Sequence, residues 1–390
     1  ESIKREEVKK VIEKNFQLYG FVPVETPVIE FDELMKSDVL GDEDEAISDR
    51  FRLKDKGGRN LALRYEFTFQ LARIFKQNPN IKLPFKRYQI GYVFRDEPTS
   101  SSRFRQFVQC DADIIGDAST DADAECLALI SDILKELKVN AEIEVNNRKL
   151  LNAIIESVEI KEIKEVMKEL DKIDKIGFDM VKANLRKYTS ANQIITLLKL
   201  MEKDIAFFKE NAFDGINELE ELIKKAKPYG IKIKYNPFLV RGLSYYTGNI
   251  FEIREPGKPS IGAGGRYNKS AGKFLNREIP AVGISFGLER ITESAKVDIK
   301  PNPKVLIISI EQDLEAIKLS KKLRKENISC STALGKISQA LDYANSLQIP
   351  YVIFIGSEEK AKNKFKLKDM KTGEEILLSE KQLINKIQKV

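Results

Sequence analysis

Two β-rich runs, PFKRYQIGYVFR at 84–95 and RQFVQCDADIIG at 105–116, enclose the polar, Pro/Ser-rich segment DEPTSSS. Paired runs of this kind around a turn-rich linker predict a long antiparallel hairpin. A two-stranded hairpin has little stability of its own, so this one needs a larger sheet around it. The first constraint on the chain is therefore a mainly antiparallel body.

The flanking segments supply its other parts. Residues 3–19 place Val8, Val11, Ile12 and Phe16 at helical spacing, with Gly20 as a left-handed stop. FVPVETPVIEF follows as an extended, edge-like segment with two prolines, and NLALRYEFTFQLARIF as a short strand turning into a helix. DADAECLALISDILKEL predicts a helix. From about 147 to 230 the chain is helical and rich in Lys, Glu and Ile. Strand character is expected again from 235 to about 268, including the apolar lead-in Phe238-Leu239-Val240 that delivers Arg241. AVGISFGLERITESA reads as a strand entering a helix at Gly287. After Pro303, KVLIISI, ISCSTAL and YVIFIG alternate with helices, the βαβαβ pattern of a parallel sheet. The predicted architecture is α+β: an antiparallel sheet flanked by helices, a helical insertion, and a small C-terminal α/β domain. The boundaries fall at 1–146, 147–232, 233–298 and 303–390.

The chain contains no histidine. That excludes Ser-His-Asp and Cys-His machinery and His-ligated zinc. Chemistry must rest on Arg, Lys, carboxylates, Tyr, backbone amides or a bound cation. Phosphate chemistry suits this set, because charge placement does most of its work. Cys110, Cys126 and Cys330 form no C-x-x-C pair, which points to a reducing, cytoplasmic setting. No run is apolar enough to span a membrane, and ESIKREEVKK reads as a charged helix rather than an export signal. Residues 301–390 carry 16 Lys/Arg against 11 Asp/Glu, a basic excess suited to a polyanionic partner.

A buried arginine such as Arg241 is costly unless an anion neutralises it, and that anion is either an internal carboxylate or a ligand. Arg95, Arg103 and Arg105 bracket the hairpin loop. Arginine forks grip phosphate bidentately and an aromatic ring can stack on a base. Ion pairs to Asp96, Glu97, Asp111 and Asp113 are the plainer alternative. GLER at 287–290 sets Arg290 in the first turn of a helix, and IGAGGRYN places Arg266 and Tyr267 after three glycines. Those glycines mark either a tight turn or a close approach of a ligand.

Taken together and in order, these motifs resemble the class II aminoacyl-tRNA synthetases. The Phe94–Phe107 hairpin resembles their second signature motif, GLER the third, and the helix before VPVETPVIE the first, with Pro27 at a dimer interface. LVRGLSYYTG, GAGGRYN and LALRYEFT resemble segments of the histidyl-tRNA synthetase family, and the C-terminal region its anticodon-binding domain. The resemblance implies that L-histidine and ATP form an adenylate and pyrophosphate, and that the histidyl group then passes to tRNA-His. It implies a homodimer and a Mg2+ ion. In that reading 1–146 and 233–298 form the catalytic domain. Arg241 and Arg95 are the catalytic arginines on the α-phosphate. Glu66, Phe67, Thr68, Arg95, Gln109, Asp113, Arg241, Tyr245, Tyr246 and Tyr267 bind histidine. Arg95, Glu97, Arg103, Phe107, Gly287 and Arg290 bind ATP.

Three departures stand out: Ser244 and Asn268 replace aspartates common in the family, and Thr99–Ser102 lacks the glutamine many bacterial members carry there. One competing reading is a catalytically inactive relative, such as the ATP phosphoribosyltransferase regulatory subunit or a sensor of uncharged tRNA. The presence of Arg241 and of residues 303–390 counts against it.

Overall fold

The structure, a computed structural model, describes residues 1–35, 49–100, 103–241, 245–269, 278–299 and 302–388. Ser244 and the loop residues 101–102 lie outside these ranges. The chain divides into two compact units, Glu1–Val297 and Asp298–Val390.

The first unit is built on an eight-stranded sheet. Its strands in chain order are β1 (Val22–Pro23), β5 (Phe85–Phe94), β6 (Gln106–Ile115), β7 (Glu142–Asn147), β8 (Ile233–Tyr235), β9 (Asn249–Arg254), β10 (Ser260–Arg266) and β11 (Ala281–Gly287). They lie in the order β1-β5-β6-β11-β10-β9-β7-β8. All central pairs are antiparallel, and only the short edge strands β1 and β8 pair in parallel. β2 (Ile29–Phe31), β3 (Arg52–Lys54) and β4 (Asn60–Leu63) form a separate three-stranded sheet.

The expected hairpin is present, and its register places the site. β5 and β6 pair without slippage from Phe85↔Ile115 to Phe94↔Gln106. Because side chains alternate across a sheet, one row runs Tyr88, Ala112, Ile284, Gly264 and Phe251. That face meets helices Ser2–Leu18 and Thr120–Glu136, which bring Val8, Ile12, Phe16, Leu127 and Ile130 into the core. Each fully buried side chain of this size stabilises the fold by roughly 1.5–3 kcal/mol. The adjacent rows, facing the other way, read Arg87, Asp113, Gly283, Gly265 and Gln89, Asp111, Ser285, Ala263, Glu252. One face is therefore apolar and helix-covered, and the other is polar and rich in glycine.

Residues 148–226 form the helical stretch between β7 and β8. Its helix Ala191–Met201 starts at a capping box, in which Ser190 Oγ accepts from Gln193 N–H and Gln193 Oε1 accepts from Ser190 N–H. Ser190→Ala is expected to remove about 1 kcal/mol of local stability. Hydrogen exchange across 191–201 should quicken while activity is retained.

One expectation fails here. The segment before β9 is not a strand: 236–241 and 245–248 are irregular, and regular pairing starts only at Asn249. Asn236 and Pro237 interrupt the run, and Arg241 adopts φ +61°. A strand cannot accommodate that backbone.

The second unit pairs β12 (Val305–Ser309) in parallel with β13 (Cys330–Ala333) and β14 (Tyr351–Ile355), as the alternation predicted. Two further strands, β15 (Phe365–Asp369) and β16 (Glu375–Leu378), extend it in antiparallel fashion, so the sheet is mixed rather than parallel. Val305 and Ile307 pack on one face with Leu319, Leu323 and Leu383, and Leu306 and Ile308 on the other with Ala340 and Ala344.

Candidate active site

The polar face of the large sheet gathers most of the predicted residues. Asp113 projects from β6 and is 4% exposed. Its Oδ1 accepts from Tyr267 Oη, and its Oδ2 lies 2.7 Å from Arg87 Nη2. The room for this carboxylate comes from Gly283 on the next strand, since a Cβ there would overlap it. Gln109 Nε2 donates to Ser285 Oγ at 2.6 Å, and Ser285 Oγ donates to Asp111 Oδ1 at 2.5 Å. Burial, and to a lesser degree the charge of Asp113, push the Asp111 carboxyl up to about 8, against the pull of Arg87. Asp111 is thus largely protonated at neutral pH.

The turn after β4 supplies Glu66 and Thr68, both buried. Glu66 Oε1 accepts from Phe69 N–H at 2.7 Å, and Oε2 faces Tyr245 Oη at 3.4 Å. Burial raises the Glu66 carboxyl, opposed by hydrogen bonds from Thr68 and Phe69 and by the Arg95 charge. Tyr245 packs at 4.8 Å centroid distance on Tyr246 and edge-on to Tyr267 at 5.8 Å. Three tyrosines, two carboxylates and Thr68 are thereby joined in one network of contacts.

Arginines lie beside this network: Arg95 acts on Glu66 and Arg241 on Tyr246. Arg95 is stacked between the rings of Tyr65 (4.4 Å) and Phe107 (5.1 Å), a cation–π arrangement that fixes its plane. Arg290 Nη1 donates to Ser260 O at 2.8 Å. Burial lowers its affinity for a proton, and the charges of Arg103 and Arg95 lower it further, which places the three guanidinium groups near one another. Glu289, next to Arg290, accepts from Val108 N–H and pairs with Arg5 at 2.8 Å, so the helix Leu288–Ser294 is pinned to β6. Arg241 Nη1 donates to Glu252 Oε1 at 3.1 Å. Burial opposes the Arg241 charge, but Tyr246, Glu252 and Asp171 more than restore it. Glu252 is also held by Arg254 Nη2 at 2.8 Å.

Both alternatives posed for the hairpin arginines have some substance. Arg103 lies 3.3 Å from Glu97 and Arg105 3.7 Å from Asp96, while Arg95 stacks on Tyr65 and Phe107 and donates from Nε to Tyr65 O at 3.5 Å. The structure draws together Glu66, Thr68, Gln109, Asp113, Tyr245, Tyr246 and Tyr267, with Arg95, Arg103, Arg241 and Arg290 bordering them. Phe67 is placed differently: its ring is fully buried beneath Arg64 at 4.9 Å, where it supports that residue's hydrogen bonds to Tyr92 O and Thr26 O. Arg266 faces the helix side, tied to Asp123 and to the carbonyls of Asp117 and Ser119. Gly287 caps the helix Leu288–Ser294, and the Arg290 side chain lies against its α-carbon. The site also holds Tyr65, Arg87, Glu252 and Ser285, which sequence reasoning did not single out, and Asp111, which it named only as an ion-pair partner. The signal for Arg87 was a cation at a strand position in phase with Gln89.

Among the described residues, Gln109 Oε1, Asp113 Oδ2, Arg241 Nε and all three Arg87 nitrogens are buried without a hydrogen-bond partner. Arg87 and Asp113 Oδ2 face each other as an ion pair, and Tyr235 Oη, Arg254 Nε and Thr292 Oγ1 are likewise without a hydrogen-bond partner. Buried polar atoms are rarely left so, which makes Gln109 Oε1 and Arg241 Nε candidates for a polar ligand.

Comparison with known proteins identifies the family. The family profile described as Histidyl-tRNA synthetase matches residues 1–291, and that described as Anticodon binding domain matches 304–390. The chain is 40% identical to histidine–tRNA ligase 1 of Bacillus cereus over 96% of its own length and 94% of the relative's. It is 34% identical to the histidine–tRNA ligase of Clostridium tetani, covering 95% and 91% of the two chains. A crystal structure of histidyl-tRNA synthetase from Nostoc sp. PCC 7120 superposes with a TM-score of 0.84 at 28% identity, covering 99% of this chain and 95% of that one. With a family profile spanning most of its length and full-length relatives at this identity, the chain belongs to the histidyl-tRNA synthetase family.

Proposed function

We propose that the chain is an active histidine–tRNA ligase that joins L-histidine to ATP, releases pyrophosphate, and transfers the histidyl group to tRNA-His. The observation that carries this reading is the pair of orphaned polar atoms, Gln109 Oε1 and Arg241 Nε, beneath converging arginines. Glu66 and Thr68 take the α-ammonium of histidine. Gln109 lies near that ammonium, while Asp113, Tyr246 and Tyr267 reach the imidazole, with Tyr245 as a wall. A site that hydrogen-bonds a ring nitrogen rejects amino acids that leave its buried groups unpaired.

In the first step a histidine carboxylate oxygen bonds to the α-phosphorus as the bond to pyrophosphate breaks. Two anions must approach, and charge accumulates on the α-phosphate oxygens. Arg95, held flat between Tyr65 and Phe107, bridges the carboxylate and the phosphate. Arg241 binds the growing charge from the opposite wall. Arg103 and Arg290 take the outer phosphates, and Phe107 and Arg290 bracket the adenine. Mg2+ ordinarily takes one or two carboxylates besides phosphate oxygens. Glu97, whose carboxylate lies near Tyr65 Oη and Arg103, suits an ion that arrives with the nucleotide and neutralises its outer phosphates.

The basic C-terminal unit contacts the anticodon, and three buried free cysteines suit the cytoplasm. No helix among the described residues is long and apolar enough to cross a membrane. The chain acts as a homodimer. Val22, Val28, Ile29, Phe31, Leu53 and Tyr92, on and beside the edge strands, are all more than a third exposed, and a second copy would cover them. Sedimentation is expected to give twice the mass of one chain.

The inactive-relative reading is not favoured. A structure titled ATP phosphoribosyltransferase regulatory subunit/histidyl-tRNA synthetase shares the fold at a TM-score of 0.74, but at only 21% identity. ATP–pyrophosphate exchange that depends on L-histidine is the expected result. Absence of exchange with folded, dimeric protein would sink the assignment.

A further inference from the structure

Arg87 is a fully buried cation. It lies on β5 directly across from Asp113, with Nη2 2.7 Å from Asp113 Oδ2 but poorly aligned for a hydrogen bond. A charge this deep is expensive, and removing either member of such a pair leaves the other uncompensated. The geometry around Asp113 says what the pair is for. Oδ1 is engaged by Tyr267 Oη, whereas Oδ2 accepts no hydrogen bond. Gly283 on the next strand gives the carboxylate its room, with Oδ1 and Cγ filling the space a side chain would take. Oδ2 thus has Arg87 as its ion-pair partner, and the carboxylate is held between Arg87 and Tyr267.

We propose that Arg87 is a positioning residue for amino-acid selection, which holds Asp113 in place as a charged acceptor for an imidazole N–H. This inference rests on the histidine-pocket reading given above. Arg87 itself touches no ligand in it and acts only through Asp113.

The charges around Asp113 make the requirement concrete. Arg87 on β5 and Tyr267 after β10 contact it. Asp111 lies two residues away on the same strand, Glu66 enters from the turn after β4, and Cys126 of the helix Thr120–Glu136 lies close enough on the other side to feel its charge. Arg87 is the cation in direct contact. Burial already pushes the Asp113 carboxyl up, and Arg87 is the main influence against it. Without Arg87, the balance at Asp113 shifts further towards the protonated carboxyl. A protonated carboxyl can still occupy the space, but it is a poor acceptor.

The test is ATP–pyrophosphate exchange by the full chain carrying Arg87→Met, with L-histidine varied between about pH 7 and 9, where free imidazole is mostly neutral. The expected result is a KM for histidine raised about 10–100-fold at pH ~7, the range for losing a hydrogen bond to a charged group. kcat should stay within a few fold, and KM should recover towards wild type as pH rises and Asp113 regains its charge. A KM penalty independent of pH, or a loss confined to kcat, would overturn the proposal. Arg87→Met/Asp113→Asn removes both charges and guards against misfolding of the single variant. Beside Asp113→Asn alone it should show no further rise in KM, and an additive rise would count equally against it. Failure of the wild-type chain to exchange would instead strike at the proposed function, so the two outcomes are distinct.

Discussion

Arg241→Ala is expected to lower the maximal rate of histidine-dependent ATP–pyrophosphate exchange by about 10²–10³-fold, the range seen when one preorganised donor to a developing charge is removed. The argument begins with its backbone. Arg241 sits at φ +61°, a left-handed conformation that costs an ordinary residue about 1–2 kcal/mol. Such strain persists where surrounding structure imposes it, and it collects at functional sites. Here it carries the guanidinium out of the irregular segment before β9 towards Tyr246 and Glu252, with Nε left unbonded. The variant should still fold, because Glu252 keeps Arg254 as a partner at 2.8 Å and is not stranded. Arg241→Lys should recover only a small part of the rate, since an ammonium cannot reproduce the planar fork. Circular dichroism and sedimentation should match wild type. Near-normal exchange by Arg241→Ala would remove this residue from the mechanism and leave the family membership untouched.

The fold was legible where local pattern and tertiary role agree. The hairpin at 84–116 alternates cleanly because one face packs on helices and the other does not. The helices at 2–18 and 120–136 carry their apolar stripe for the same reason. The α+β class and the appended α/β unit follow from those patterns. The strand predicted around Arg241 failed because Phe238-Leu239-Val240 is apolar for another purpose. Leu239 and Val240 are buried in the core as loop residues, and burial without pairing leaves the same trace in a sequence as a strand. β16 escaped because four residues of mixed exposure carry almost no periodic signal.

The site divides along a similar line. Residues in recognisable motifs could be proposed from the chain itself. Arg87, Asp111, Ser285 and Glu252 could not, since their significance lies in register. Residue 87 faces 113 and 113 faces 283 only once three strands distant in sequence are aligned. The glycines of GAGGRYN were expected to mark a turn or an approaching ligand, and Gly283 lies on the strand paired with them. The space at Gly283 is instead taken by a side chain of the protein, the Asp113 carboxylate.

That packing yields the second large effect: Gly283→Ala should cost about 3–5 kcal/mol of stability, the range for breaking a buried ion pair. A Cβ at 283 would overlap Asp113 Oδ1, lie 2.7 Å from its Cγ and 3.1 Å from Ala112 O. The backbone oxygen belongs to a paired strand and cannot yield cheaply, so Asp113 must move. Its contacts with Tyr267 and Arg87 then break, and Arg87, with no exposure to solvent, keeps an uncompensated charge. Chemical denaturation of the catalytic unit, followed by far-ultraviolet circular dichroism because the chain has no tryptophan, reads the loss. Exchange assays should show histidine no longer saturating the enzyme. A series separates overlap from charge. Asp113→Ala in the Gly283→Ala background relieves the crowding yet should not restore stability, because Arg87 is still unpaired. Adding Arg87→Met should restore most of it, while histidine recognition stays lost. Gly283→Ala with wild-type stability and wild-type KM would mean that Asp113 is not held where its contacts with Arg87, Tyr267 and Gly283 place it.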